Sequence, residues 1–331
     1  MLYRILKIYV RVVMWVYCYK IRVNRPELLK IKGPLLLASN HPNSFLDGVV
    51  YDILFSEPVW SLARGDVFKS KWAASLLYRL KLYPVYRTRD GMGSLYENYK
   101  TFDASLDVFR KNGLVTIFSE GDCVNTWQLR SLKKGTARLA FKAWEENIPL
   151  RVLPMGINYS AFRRFGKQID VNIGNPFSGD LFDKIENDGQ KHLTFNRVLN
   201  DQLGQLVYEI KPGDVNNFDK KFSVKSNRLK ENLLLLPAGL AWLLHAPFYY
   251  PSKAGVKRLC HDNEFYDSIL FSVFIFLYPI YVLLLGAIAA ILFQPFMGLI
   301  LILILPGTAL AYTKRKLRKD KVFHESSLTK Q

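Results

Sequence analysis

The spacing of apolar positions changes character three times along the chain. Residues 2–21 read as an amphipathic helix. Arg4, Lys7 and Arg11 recur at three- and four-residue intervals and share one face, while Leu2, Ile5, Leu6, Tyr9, Val12, Val13 and Val16 fill the rest. Such a helix suits the headgroup boundary of a membrane. From about residue 33, short apolar runs alternate with helical ones: strands are expected at 35–39, 59–63, 83–86, 114–118, 152–157 and 169–173, and helices at 44–55, 66–80, 94–111, 134–147 and 188–210. That rhythm predicts an α/β layered domain with a mixed, largely buried sheet flanked by helices. Lys211-Pro212-Gly213-Asp214 marks its end. Residues 268–313 then contain no charged residue and no histidine, long enough for two passes of about 20 residues each, with the break at Gln294-Pro295. Residues 233–250 are a further apolar stretch, interrupted by Pro237, Gly239, His245 and Pro247, and read as re-entrant or interfacial. The expected layout is a membrane-associated helix (1–25), the α/β domain (26–212), a linker (213–232), and a membrane region with a transmembrane helical hairpin and a basic tail (233–331).

Charge narrows the partners. The chain of 331 residues carries a formal net charge of +18, which suits nucleic acid, an anionic membrane or an acidic substrate. Position favours the membrane. Arg4, Lys7, Arg11, Lys20, Arg22 and Arg25 have no acidic residue among them, and another basic cluster opens at Lys314, directly after the apolar run. Basic residues beside apolar segments attract anionic headgroups, at about 1 kcal/mol each near the surface. No basic motif interleaved with aromatic residues speaks for nucleic acid. Lys253, Lys257 and Arg258 on one flank of the hairpin and Lys314 onward on the other put both of its ends, and the α/β domain, on the cytoplasmic face. Cys18, Cys123 and Cys260 are widely separated and imply neither a disulfide framework nor a zinc site.

Candidate chemistry begins at Ser39-Asn40-His41-Pro42-Asn43-Ser44-Phe45-Leu46-Asp47-Gly48, between a strand and a helix. Strand-to-helix turns at a sheet edge are where ligands meet α/β folds. A histidine with a carboxylate on its far ring nitrogen is a general base held in one tautomer. Phe118-Ser119-Glu120-Gly121-Asp122 ends another strand, and Leu132-Lys133-Lys134-Gly135 opens the next helix, a setting suited to phosphate or carboxylate. Between them, Tyr83-Pro84-Val85-Tyr86-Arg87 is a strand ending in arginine. Ser44, Ser119 and Cys123 are the alternative nucleophiles, with Ser44 better explained as a helix cap.

In order and spacing this set resembles the glycerolipid acyltransferase family, whose members include glycerol-3-phosphate and 1-acylglycerol-3-phosphate acyltransferases. The family's Asn-His and catalytic aspartate fall on Asn40, His41 and Asp47. Its arginine-ending strand falls on residues 83–87, its Phe-Pro-Glu-Gly on residues 118–121, and its proline-containing strand on Val152-Leu153-Pro154-Met155-Gly156. Two departures stand out. Five residues separate His41 from Asp47 where four are usual, with Pro42 expected to absorb the extra one, and Ser119 replaces the proline. Asp122 also fills a position that is often small and polar. The resemblance implies direct acyl transfer: His41 is the base, Asp47 steadies it, and Arg87 binds the acceptor phosphate. Glu120 and Gly121 shape that subsite, and Lys133 and Lys134 add charge. The donor is acyl-CoA or acyl carrier protein, and no metal or redox cofactor is implied. The acceptor expected is 1-acylglycerol-3-phosphate, with glycerol-3-phosphate or a lyso-aminolipid as the alternative. A non-catalytic anchor that binds anionic lipid is the reading from another class.

Overall fold

The computed structural model describes residues 2–86, 92–224, 228–261 and 263–319, with the backbone alone at 92–96. Its helices are α1 (Leu2–Tyr17), α2 (Phe45–Leu54), α3 (Lys71–Arg79), α4 (Met92–Arg110), α5 (Gly135–Glu145), α6 (Asp188–Leu206), α7 (Val215–Lys221), α8 (Arg228–Leu233), α9 (Leu235–Cys260), α10 (Tyr266–Leu292) and α11 (Pro295–Arg315). Its strands are β1 (Cys18–Val23), β2 (Leu35–Ser39), β3 (Val59–Arg64), β4 (Leu82–Val85), β5 (Leu114–Phe118), β6 (Arg151–Tyr159) and β7 (Lys167–Ile173), in the sheet order β1-β7-β6-β2-β5-β3-β4.

The sheet is mixed. β2 runs parallel to both β5 and β6, and β3 runs parallel to β4 and β5. Every residue of β2 is buried, as an apolar run between parallel neighbours requires. Strand β1 departs from the expected helix over 2–21. The helix stops at Tyr17, and the next six residues are extended, because β-branched Ile21 and Val23 lie where an edge can pair and tertiary pairing overrides helical periodicity.

Contacts divide the chain into two units. The first gathers Met1–Lys7, Val23–Asn158 and Asp170–Glu209; the second gathers Ile8–Arg22, Tyr159–Ile169 and Ile210–Gln331. In the first, the core packs Leu36, Val115 and Val152 of the sheet with Leu106 and Phe109 of α4, Leu139 and Ala143 of α5, and Phe195 and Leu199 of α6. These positions recur at three- and four-residue intervals on each helix, the apolar stripe that a layered fold buries.

In the second unit, α10 and α11 are 27 and 21 residues long and apolar enough to cross a membrane. Phe276, Ile280, Leu283, Ile291, Phe296 and Leu303 are all exposed on them, an apolar surface that suggests association with a membrane. The two helices meet at glycines: a Cβ on Gly298 lies 2.4 Å from the Gly286 carbonyl oxygen, the close approach that small residues allow. The expected interruption at 233–250 is absent. Pro237, Gly239, His245 and Pro247 all lie inside the continuous helix α9. Neighbours supply partners near the proline sites, as where the Tyr281 hydroxyl donates to the Leu244 carbonyl at 2.6 Å. The expected linker likewise holds α7 and α8.

Among its described residues this unit buries an ion pair. Lys167, fully buried, bonds Asp267, which is 1% exposed. The Tyr17 hydroxyl donates to the other Asp267 oxygen at 2.6 Å. Lys314 Nζ donates to the carbonyls of Trp15, Cys18 and Tyr19, a basic residue satisfying the orphan acceptors where α1 ends. Lys167→Met is expected to destabilise the protein by about 3–5 kcal/mol by leaving Asp267 buried without its cation. Lys167→Met with Asp267→Leu should recover much of that loss, and melting in detergent compares the two.

Candidate active site

The site is built where β2 and β5 end side by side. Their register sets Ser39 opposite Phe118, and the β2–β6 register sets Ser39 opposite Met155. The chains leaving β2 and β5 therefore emerge together. The Ser119 N–H donates to the Ser39 carbonyl at 2.7 Å, extending the ladder one residue into the turn. Asn40 then turns its amide onto the neighbouring strand. Its Nδ2 donates to the Ile157 carbonyl at 3.0 Å, and its Oδ1 accepts from the Ile157 N–H at 2.8 Å. Side-chain amide and backbone are complementary here, and the pair fixes the residue before His41.

His41 is held on three sides. Its Nδ1 lies 2.8 Å from Asp47 Oδ2, with Asp47 fully buried and the His41 side chain 18% exposed. Because an ionised carboxylate only accepts, Nδ1 carries the proton and Nε2 is the basic nitrogen. The imidazole stacks on Phe118 at 4.0 Å between centroids and 11° between planes. Phe118 in turn stacks on Tyr51, whose hydroxyl hydrogen-bonds to Ser39 Oγ. The His41 backbone N–H donates to Glu120 Oε2 at 3.1 Å.

Asp47 sits in the first turn of α2, where the helix dipole favours an anion. Its Oδ2 also accepts the Asn43 N–H at 2.8 Å. Between His41 and Asp47 the backbone is unusual at Ser44, with φ 51° and ψ −136°, a positive-φ conformation costing a non-glycine residue about 1–3 kcal/mol. The expected capping role for the Ser44 side chain is not seen, as it makes no hydrogen bond to the helix. The anion that caps the turn is Asp47, reaching back to Asn43.

Glu120 differs from its expected part in an acceptor subsite. It is 2% exposed, and its carboxylate faces inward onto two backbone donors, His41 N–H and, at 2.9 Å, Arg130 N–H. Burial pushes its carboxyl above the usual range, against the pull of those two N–H groups and of the Arg130 and His41 charges. An anion enclosed in this way would repel a phosphate and serves better as a brace. Further bonds join the two turns. Ser44 N–H donates to Cys123 Sγ at 2.9 Å, Asn125 Nδ2 to the Pro42 carbonyl at 2.7 Å, and Val124 N–H to the His41 carbonyl at 3.3 Å. The candidate nucleophiles Ser44, Ser119 and Cys123 are all buried, and Ser119 Oγ accepts from Thr136 at 2.9 Å.

Gly121 has φ +72°, and a Cβ there would lie 2.8 Å from Lys133 Cγ. Both the turn and the close lysine call for glycine. Lys133 is tied back by its N–H to the Ser119 carbonyl at 2.7 Å, and Lys133 and Lys134 are both exposed at the start of α5. Arg87 lies outside the described residues. The residue before it is clamped: Asn98 accepts from the Tyr86 N–H and donates to the Tyr86 carbonyl, each at 2.8 Å. Asn98, Arg130, Tyr51 and Asn125 were not legible from sequence as parts of this site, nor was the stacking of Phe118 on His41. Their contribution is to hold backbone or ring, which no spacing rule encodes. Among the described residues no group of three or more His, Cys, Asp or Glu is placed to hold a metal ion.

Asn40→Ala should cost about 1–3 kcal/mol, since it leaves the Ile157 N–H and carbonyl buried without partners. Melting measures the loss, and activity should fall with it as His41 loosens. Glu120 supplies a pH test. Its folded pKa is raised, so its contribution to stability is fully present below the unfolded carboxylate pKa of about 4.3 and is lost as pH rises through the folded value. Wild type measured against Glu120→Gln should therefore lose relative stability on going from pH 4 toward neutral.

Residues 20–158 match the family model described as Acyltransferase. Among solved structures, the chain is similar to the 1-acyl-sn-glycerophosphate (LPA) acyltransferase PlsC from Thermotoga maritima, at 11% sequence identity and a TM-score of 0.41, over 62% of this chain and 79% of that one. The family match spans most of β1 through most of β6, and this segment, which carries His41, Asp47, Glu120 and Gly121, is similar to the acyltransferase family.

Proposed function

We propose that the chain transfers a fatty acyl group from acyl-CoA or acyl carrier protein to the hydroxyl of 1-acylglycerol-3-phosphate, a step of phospholipid biosynthesis. The observation that carries this reading is the His41 ring, bonded through Nδ1 to a fully buried Asp47 and partly open to solvent. Nε2 takes the acceptor's hydroxyl proton as the oxygen attacks the thioester carbonyl. Asp47 stabilises the imidazolium that forms. When the tetrahedral intermediate collapses, the C–S bond breaks and the thiolate takes the proton back, leaving an ester and a free thiol. A positioned base and a good leaving group suffice, so no covalent acyl-enzyme and no cofactor enter the scheme.

Arg87 is assigned the acceptor phosphate on the resemblance of Tyr83-Pro84-Val85-Tyr86-Arg87 to the family's arginine-ending strand. Gly121 shapes that subsite by keeping the turn free of a side chain, and exposed Lys133 and Lys134 add positive charge. The apolar helices α10 and α11 support a membrane location for enzyme and acceptor alike. Basic residues at both outer flanks of that pair favour the cytoplasmic face for the catalytic domain.

The test is acyl transfer by the full-length protein in detergent, from a long-chain acyl thioester to 1-acylglycerol-3-phosphate. His41→Ala and Asp47→Asn should each lower kcat by roughly 100- to 10,000-fold with little change in melting temperature. Transfer that survives His41→Ala sinks the mechanism. Transfer to glycerol-3-phosphate or a lyso-aminolipid alone replaces the acceptor and leaves the base in place.

A further inference from the structure

The bond from His41 Nδ1 to Asp47 Oδ2 is 2.8 Å long and fixes one atom of the imidazole. It does not by itself fix the plane of the ring, because the terminal torsion of a histidine is broad. The direction in which Nε2 points needs a second constraint. Phe118 supplies it. The two rings lie 4.0 Å apart between centroids and 11° from parallel, so the imidazole cannot turn about its bond to Cβ without striking its neighbour. The face of an aromatic ring also attracts a cation, and the imidazole becomes one as it takes a proton.

Phe118 is held in turn from α2. Tyr51 stands four residues after Asp47 and so on the same face of the helix, and both side chains are fully buried. The Tyr51 ring stacks on Phe118, with centroids 6.3 Å apart and 21° between planes. Its hydroxyl hydrogen-bonds to Ser39 Oγ. Ser39 Oγ gives its own hydrogen to the Asn40 carbonyl at 2.9 Å, with Asn40 Oδ1 farther away at 3.4 Å, so the phenol is the donor to Ser39. Burial raises the Tyr51 phenol well above its usual range, and the Asp47 charge adds to this against the pull of the Ser39 bond, so the hydrogen it donates stays in place. The Asn40 carbonyl and the His41 N–H belong to one peptide group, and that N–H donates to Glu120 Oε2 at 3.1 Å. The peptide is clamped at both ends, by Ser39 with Tyr51 behind it and by Glu120.

We propose that Phe118 and Tyr51 are positioning residues for His41: Phe118 sets the plane of the imidazole, and Tyr51 sets Phe118 and, through Ser39, the peptide that carries the ring. The proposal rests on the reading of His41 as the base, so one arm of its test measures transfer and the other measures His41 itself. Full-length protein in detergent, isotope-labelled at histidine Cε1, gives a resonance for His41 that is identified by its loss in His41→Ala. Tyr51→Phe deletes a hydroxyl and keeps the ring. It should move the His41 resonance, leave those of the other histidines in place, and lower kcat about fivefold at unchanged KM, the loss of one hydrogen bond. Phe118→Leu keeps an apolar side chain and loses the flat face; kcat should fall roughly 10- to 100-fold, the effect of a misplaced reacting group. Phe118→Tyr should restore it. Where transfer depends on His41, a Tyr51→Phe protein with the wild-type resonance or the wild-type kcat overturns the proposal. So does Phe118→Leu at wild-type kcat, or Phe118→Tyr as slow as Phe118→Leu. Where transfer survives His41→Ala, the base assignment has failed instead, and the resonance alone decides whether Tyr51 positions the ring.

Discussion

The parallel register of β2 between β5 and β6 is the constraint on which the candidate site depends. Ser39 stands opposite both Phe118 and Met155, and two loops leave the sheet from that line. A slip of one residue would turn every β5 side chain to the other face. Phe118 would then leave the His41 ring, and Glu120 would leave its backbone. The strand is buried throughout and apolar, so its register is held by packing on both faces, and the site inherits that rigidity.

Two buried carboxylates divide the work that follows. Asp47 acts on the imidazole and sets its tautomer, while Glu120 acts on the backbone and sets where the imidazole stands. Burying an anion is unfavourable unless hydrogen bonds meet it, and each has two donors close by. The strained Ser44 backbone belongs to the same arrangement. With five residues between His41 and Asp47, one must take an unusual conformation if Asp47 is to reach the ring from the first turn of α2.

The second unit applies the opposite chemistry. Its helices expose apolar side chains and close on small residues at Gly286 and Gly298. Its few buried charges are matched: Lys167 with Asp267, and Lys314 with carbonyls at the end of α1.

Sequence alone determined the alternation of strands and helices over residues 33–210, the two apolar passes, and the pairing of His41 with Asp47 as candidate chemistry. Those follow from periodicity and residue type, which are local. It misjudged β1, the continuity of α9 and the role of Glu120, and it could not reach the Asn40, Asn98 and Arg130 contacts. In each of these the deciding partner lies far along the chain. Asn40 meets Ile157, Glu120 meets His41, and the Leu244 carbonyl of α9 accepts from Tyr281 of α10. A carboxylate in a Glu-Gly turn reads the same whether it faces a ligand or a backbone N–H. Only the tertiary structure, by bringing His41 and Arg130 to its two oxygens, decided that it faces inward.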